Sequence, residues 1–273
     1  AGPAVGGELD GPGLEYFHQC YEAGLADGID ILDLHPYAKW ATPTPCGGTP
    51  GCPEGLIESV SLCKAMLAEI GQGNTSLIAS ESGHPTLDVN WPMPTVTNEE
   101  QARLIVRTHL CLLASGIQRI FWYAFQDEGL NPLEPEHHFG IVDWYGNCKP
   151  AYYTYQTMSR LLGPAVLEGF VSSLAAPIYG VRCRLPQGYI TPLWDSAGHS
   201  EVKISAISDV TRCLDLSGKE ITLPRIENNT LTLPVNEDVQ YVISKNPLQI
   251  ISSRRIDPRV VARPEIKLTP AII

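Results

Sequence analysis

The sequence predicts an α/β fold of repeated βα units around a parallel sheet, followed by a small antiparallel β-sandwich. Three observations carry this. Up to about residue 160, short β-branched or apolar runs alternate with amphipathic helical stretches, the pattern of βα units. Strand-like runs start at Ile29, Ser76 and Arg119, a regular spacing that fits βα units with long loops. Beyond residue 165 the pattern changes to short alternating runs separated by Pro-, Gly- and Asn-rich turns.

The first strand is Ile29-Asp30-Ile31-Leu32-Asp33-Leu34, and a loop to Pro53 follows it. Leu56, Val60, Cys63, Leu67 and Ile70 then recur at helical spacing and form one apolar stripe, which Gly71 and Gly73 end. The second strand is Ser76-Leu77-Ile78-Ala79-Ser80. After a Pro-rich loop, Thr97-Asn98-Glu99-Glu100 has the T-x-x-E pattern of a capping box, and Gly116 closes the helix it opens. A third strand, Arg119 to Phe125, leads through a long loop to a helix that begins near Pro150 and stops at Gly163-Pro164. The later alternating runs are Ile178–Arg184, Glu201–Ile207, Glu220–Leu223, Thr230–Leu233 and Gln240–Ser244. The segment 247–273 mixes Arg and Pro without clear periodicity and reads as a linker or the start of a further domain.

Composition bounds the function. Hydrophobic residues at 44% and charged residues at 18% are ordinary for a folded soluble protein, and no apolar run approaches the ~20 residues of a membrane helix. A net charge of -11 with no Lys/Arg cluster argues against nucleic acid as a partner. No membrane partner and no cofactor is expected. The eight cysteines lack zinc-ribbon spacing; Cys20, Cys63 and Cys111 fall in helical patterns and read as buried thiols. Cys46 and Cys52 bracket a Gly/Pro loop, and either close a short disulfide in a secreted protein or remain thiols. Sequons at Asn74 and Asn228 permit an extracellular or periplasmic location without proving it.

Functional side chains gather at the C-terminal ends of the strands, the end where parallel barrels build their sites. Glu81 follows a nearly apolar strand, where a charge is costly unless chemistry or a partner holds it; it is either a catalytic carboxylate or a structural tie for its loop. His35 and Tyr37 either bind sugar hydroxyls and orient Glu81, or lock the strand end around Pro36. His84 contacts a ligand or Glu81, or is simply exposed. Trp122 offers a flat face on which a pyranose ring can stack, or packs as core. Asp127 and Glu128 bind hydroxyls or are solvated loop acids. His137-His138 resembles a metal pair only superficially, because adjacent side chains rarely chelate one ion, and no metal is expected.

The segments Asp30-Ile31-Leu32-Asp33-Leu34-His35-Pro36-Tyr37, Ile78-Ala79-Ser80-Glu81-Ser82-Gly83, Phe121-Trp122-Tyr123-Ala124-Phe125-Gln126-Asp127 and Phe139-Gly140-Ile141-Val142-Asp143, with Ala1-Gly2-Pro3-Ala4 before them and Lys149-Pro150-Ala151-Tyr152 after, resemble the second half of a clan A retaining glycoside hydrolase of the family 39 kind. The resemblance implies a partial (β/α)8 TIM barrel, strands 5 to 8, over residues 1–163, and an accessory β-sandwich over 164–246. It implies Glu81 as the nucleophile; His35, Tyr37, His84, Trp122 and Asp127, at the strand ends, are the expected substrate-binding residues. The general acid/base of that clan ends the fourth strand, which is expected to lie outside this sequence. Carbohydrate is then the substrate, and the missing N-terminal half of the barrel, from the same or a separate chain, is an expected partner; Glu8 follows the fifth strand and is not assigned that role. Ser82 stands where the family more often has an aromatic residue. Two alternatives remain: a non-catalytic carbohydrate-binding relative, and a metal-dependent barrel hydrolase using His35, His84 and Asp127.

Overall fold

A computed structural model of the chain describes residues 5–7, 12–24, 30–38, 52–87 and 96–256. The chain divides into two compact units, Ala1–Ala151 and Tyr152–Ile273.

In the first unit, strands β1 (Val5–Gly7), β2 (Ile31–Pro36), β3 (Ser76–Ser82) and β4 (Ile120–Trp122) form a four-stranded sheet in that order. Every pairing is parallel, so each connection is a crossover, and helices α1 (Pro12–Glu22), α2 (Gly55–Glu69) and α3 (Asn98–Ala114) supply them. No closed barrel is formed among the described residues.

The apolar stripe of α2 does what its spacing predicts. Leu56, Val60, Cys63 and Leu67 are buried against Leu32 and Leu34 of β2 and Leu77 and Ala79 of β3, with Ile70 packed at the margin. Each fully buried leucine there contributes about 2 kcal/mol of apolar transfer. The α3 capping box is formed: Thr97 Oγ1 accepts from the Glu100 backbone N–H at 3.1 Å, and Glu100 Oε2 from that of Thr97 at 2.7 Å. Its closing residue, Gly116, has φ +100°, where a side chain would be strained.

Burial qualifies the cysteine reading. Cys63 and Cys111 are buried free thiols, whereas Cys20 is free but only half-buried. Burial pushes the Cys63 thiol up to about 11. Cys52 is disulfide-bonded, and Cys46 lies outside the described residues.

Helix α4 (Pro150–Leu162) leads into the second unit, where Thr157 Oγ1 donates to the Ser217 carbonyl at 3.2 Å. Strands β5 (Val166–Phe170), β6 (Ile178–Leu185), β7 (Gly188–Asp195), β9 (Val210–Leu214), β10 (Glu220–Ile221) and β12 (Gln240–Ser244) make a six-stranded antiparallel sheet, ordered β10-β9-β12-β7-β6-β5. Strands β8 (Ser200–Ser205), β11 (Thr230–Val235) and β13 (Ile250–Arg255) make a second antiparallel sheet, with β8 in the middle. Leu193 and Val242 of the larger sheet share one core with Val202, Ile204, Leu231 and Leu233 of the smaller. Strand β13 falls in the stretch whose sequence lacks periodicity. It is an edge strand with five of its six residues exposed, so it carries no alternating apolar face to read.

Candidate active site at the end of the third strand

Strand β3 carries the site, and an irregularity decides its geometry. Leu77 and Ala79 are buried under the helices, so strict alternation would send Glu81 to that same side. The pairing with β4 steps from Ala79↔Ile120 to Ser82↔Trp122, three residues of β3 against two of β4. The extra residue is a bulge, a device that re-aims a side chain. Glu81 accordingly turns to meet β2: Tyr37 Oη donates to its Oε2 at 3.0 Å, and His35 Nδ1 lies 3.3 Å from the same oxygen.

Short bonds hold the bulge in place. The Ser80 backbone N–H donates to Asp33 Oδ1 at 3.0 Å, and Ser82 Oγ donates to the Pro36 carbonyl at 2.9 Å. Ser80 Oγ lies 2.9 Å from His35 Nε2. Ser82 is thus buried and ties β3 to the end of β2. Gly83 is required on steric grounds, since a Cβ there would collide with the Tyr123 carbonyl and the Phe139 ring.

The Glu81 side chain is 38% exposed, enough to meet a ligand, while two neighbours fix its direction. Burial first, then the Glu81 charge and hydrogen bond, push the Tyr37 phenol well above its usual range, so it remains a protonated donor at ordinary pH. The Tyr37 ring packs edge-on against Phe139, and Phe139 against Tyr123. The Tyr123 hydroxyl lies 3.1 Å from Glu136 Oε2 and 3.3 Å from Glu128 Oε1.

Of the residues expected from the sequence, the structure therefore brings His35 and Tyr37 to Glu81 and places the others elsewhere. His84 is buried, bonded through Nε2 to Thr108 Oγ1 at 3.2 Å, and its ring lies 5.9 Å from that of Trp122. Trp122 also stacks on His109 at 6.0 Å and 24°, and its indole N–H is buried without a hydrogen-bond partner among the described residues. The aromatic ring linked through Phe139 to Tyr37 is that of Tyr123 rather than Trp122.

Asp127 is buried too. It pairs with Lys149 Nζ at 2.7 Å and accepts from the Gly140 N–H at 2.9 Å, which ties down the loop after β4. Lys149 reaches Thr86 Oγ1 as well, at 3.0 Å. Glu128 is exposed, and His137 and His138 bond to Asn131. Among the described residues, no group of three or more His, Cys, Asp or Glu is arranged to hold a metal ion. The alternative of a metal site shared by His35, His84 and Asp127 is accordingly not supported, because each is engaged by different neighbours.

Sequence reasoning passed over Ser80, Asp33 and Tyr123. Ser80 and Tyr123 adjoin residues it did select, so proximity was the available signal. The bulge that brings them into play leaves no mark in the apolar pattern.

The elements just described make a fold similar to that of clan A glycoside hydrolases, family 39 among them. No protein-family model matches the sequence, and no curated protein matches it. Among solved structures the chain is similar to a family 39 glycoside hydrolase from the gut symbiont Bacteroides cellulosilyticus WH2, with TM-score 0.66 and 23% identity over 83% of this chain and 46% of that one. It is similar also to a glucosidase from Croceicoccus marinus, with TM-score 0.51 and 12% identity over 91% and 58% of the two chains. A GH30 endoxylanase from Clostridium papyrosolvens C71 gives TM-score 0.50 and 10% identity over 82% and 50%. The chain thus spans about half the length of these proteins.

Proposed function

We propose that the chain is part of a retaining glycoside hydrolase in which Glu81 is the nucleophile. The observation that carries this reading is the Glu81 carboxylate itself, half-exposed at the end of a parallel strand and oriented by Tyr37 and His35. In this reading the open sheet of the first unit is the C-terminal half of a (β/α)8 barrel, with boundaries near 1–163, and the two antiparallel sheets form an accessory sandwich over 164–246.

The chemistry is double displacement on a carbohydrate substrate. Both described contacts fall on Glu81 Oε2, so Oε1 is assigned to attack the anomeric carbon. A carbon–oxygen bond forms to Glu81 as the bond to the leaving oxygen breaks, and a general acid gives that oxygen its proton. The same group, now a base, then deprotonates the water that releases the sugar. That acid/base is assigned to a barrel strand outside these 273 residues. No cofactor takes part. The Cys52 disulfide supports an extracellular or periplasmic location.

The test is labelling of the full-length protein with a panel of activated 2-fluoro-glycosides, read by peptide mass spectrometry. A glycosyl adduct on Glu81 supports the proposal and names the sugar class. No adduct on folded protein across the panel, with no carboxylic acid ending the fourth strand, overturns it in favour of a non-catalytic carbohydrate-binding relative.

A further inference from the structure

We infer that Ser80 is a positioning residue that, together with the Glu81 carboxylate, sets the tautomer of His35 and with it whether a proton or a lone pair faces Glu81. The catalytic consequence rests on the reading of Glu81 as nucleophile; the tautomer itself does not.

His35 stands between two oxygens of adjacent residues on β3. Its Nε2 lies 2.9 Å from Ser80 Oγ, and its Nδ1 lies 3.3 Å from Glu81 Oε2. An ionised carboxylate can only accept, so it favours the proton on the nitrogen facing it, where a bare Nδ1 would turn its lone pair on the carboxylate oxygen; at 3.3 Å this preference needs the shorter contact at Nε2 to hold it. In the neutral ring the other nitrogen is then an acceptor, and Ser80, whose hydroxyl can donate, is its partner. A hydroxyl donating to Nε2 therefore holds the ring as the Nδ1–H form.

Ser80 is well placed to act this way because its own position is fixed. Its backbone N–H is held by Asp33 Oδ1 at 3.0 Å, at the point where the β2–β3 ladder has ended with Leu34↔Ala79. Beyond it, Ser82 Oγ fastens the strand to the Pro36 carbonyl at 2.9 Å. The bulge that aims Glu81 thus also aims the Ser80 hydroxyl, and the two side chains reach the same imidazole from consecutive positions. The titratable groups gathered here are Asp33 and Tyr37 on the strand of His35, and Glu81 on the facing strand.

The experiment is long-range ¹H–¹⁵N correlation NMR of the full-length protein with ¹⁵N-labelled histidine, repeated over a pH series. The seven histidines are few enough for His35 to be assigned by the signals that disappear in His35→Gln. The inference expects neutral His35 protonated at Nδ1 in the wild type, a shift toward the Nε2–H form in Ser80→Ala, and return of the Nδ1–H form in Ser80→Thr, which restores a hydroxyl. An Nε2–H ring in the wild type, or an imidazolium throughout the series, overturns it. So does an unchanged tautomer in folded Ser80→Ala.

Where an adduct forms on Glu81, its rate should fall about tenfold in Ser80→Ala and recover in Ser80→Thr, the size expected for one misdirected hydrogen bond. The expected tautomer pattern without any adduct leaves this inference standing and counts against the glycosidase reading alone.

Discussion

His35 and the pair His84 and His109 lie in the same unit yet in opposite surroundings. His35 is partly exposed and faces the Glu81 carboxylate, with a serine on its other side. His84 and His109 are buried, each with its ring about 6 Å from that of Trp122, and bonded to Thr108 Oγ1 and the Ile105 carbonyl. Burial first, and then the Arg107 charge, lower His84 to about 3. Burial lowers His109 to about 4, with the Ile105 carbonyl working the other way. One imidazole is thus kept beside a charge where a ligand can reach it. Two others are kept neutral as packing.

A nearby ion pair completes the contrast. Arg107 meets Glu54 through two bonds of 2.7 Å, Nε to Oε1 and Nη2 to Oε2, with both side chains almost fully buried. Such a charge pair stiffens a structure without being available to a ligand. Glu81, held by a phenol and an imidazole, retains an exposed edge.

The comparison predicts that changes on the Glu81 side affect activity and changes on the buried side affect stability. The largest effect is expected from Glu81→Gln, which should reduce turnover of a cleaved glycoside by about 10³-fold or more while leaving the thermal midpoint nearly unchanged. Comparable turnover in the variant would remove Glu81 from the chemistry.

Next is Glu54→Ala, which leaves the Arg107 charge buried without its carboxylate. It should cost about 3–5 kcal/mol, seen as a lower midpoint in urea unfolding. A loss below about 1 kcal/mol would show that Arg107 finds water or another partner.

The buried histidines give a pH signature whose sign can be worked out. Their folded-state values lie below the ordinary 6.5, so from 6.5 down to about 4 for His109 and about 3 for His84 the unfolded chain binds protons that the native protein does not. Stability therefore falls as pH falls through that window, by up to about 1.4 kcal/mol per pH unit for each ring. His109→Phe keeps a ring against Trp122 and should remove its share of the slope between pH 6 and 4.5. An unaltered slope in urea titrations would show that His109 is already charged in the native state.

The smallest effect is expected from Tyr37→Phe, which deletes one donor to Glu81 Oε2 and keeps the ring against Phe139. It should lower kcat/KM by about tenfold, the worth of one hydrogen bond to a charged group, with little change in unfolding midpoint. A stability loss without a kinetic one would assign Tyr37 to the strand junction instead.

Local patterns in the sequence carried most of the first unit. The stripe from Leu56 to Leu67, the Thr97/Glu100 box and the ends of α3 and α4 are set within one or two helical turns, so spacing reveals them. The His-Pro-Tyr strand end and Glu81 were legible for the same reason, as polar groups where parallel strands terminate. Strand β4 proved shorter than its apolar run, because from Ala124 onward the backbone bonds to Phe139, Ile141 and Val142 rather than to β3. Strand β13 was invisible because its side chains are exposed.

By itself, then, the sequence determined α2, α3 and α4, the cores of β2 and β3, and which carboxylate stands at the end of β3, since those follow from propensity and periodicity along the chain. Only the tertiary structure decided what meets what. The bulge between Ala79 and Ser82 turns Glu81 toward His35 and Tyr37, Lys149 claims Asp127, and two histidines pack against Trp122. These outcomes depend on register and on partners up to 46 residues away in sequence, as His35 is from Glu81. A one-residue irregularity in a strand reverses the face on which every later side chain emerges, and it leaves the hydrophobic pattern that precedes it unchanged.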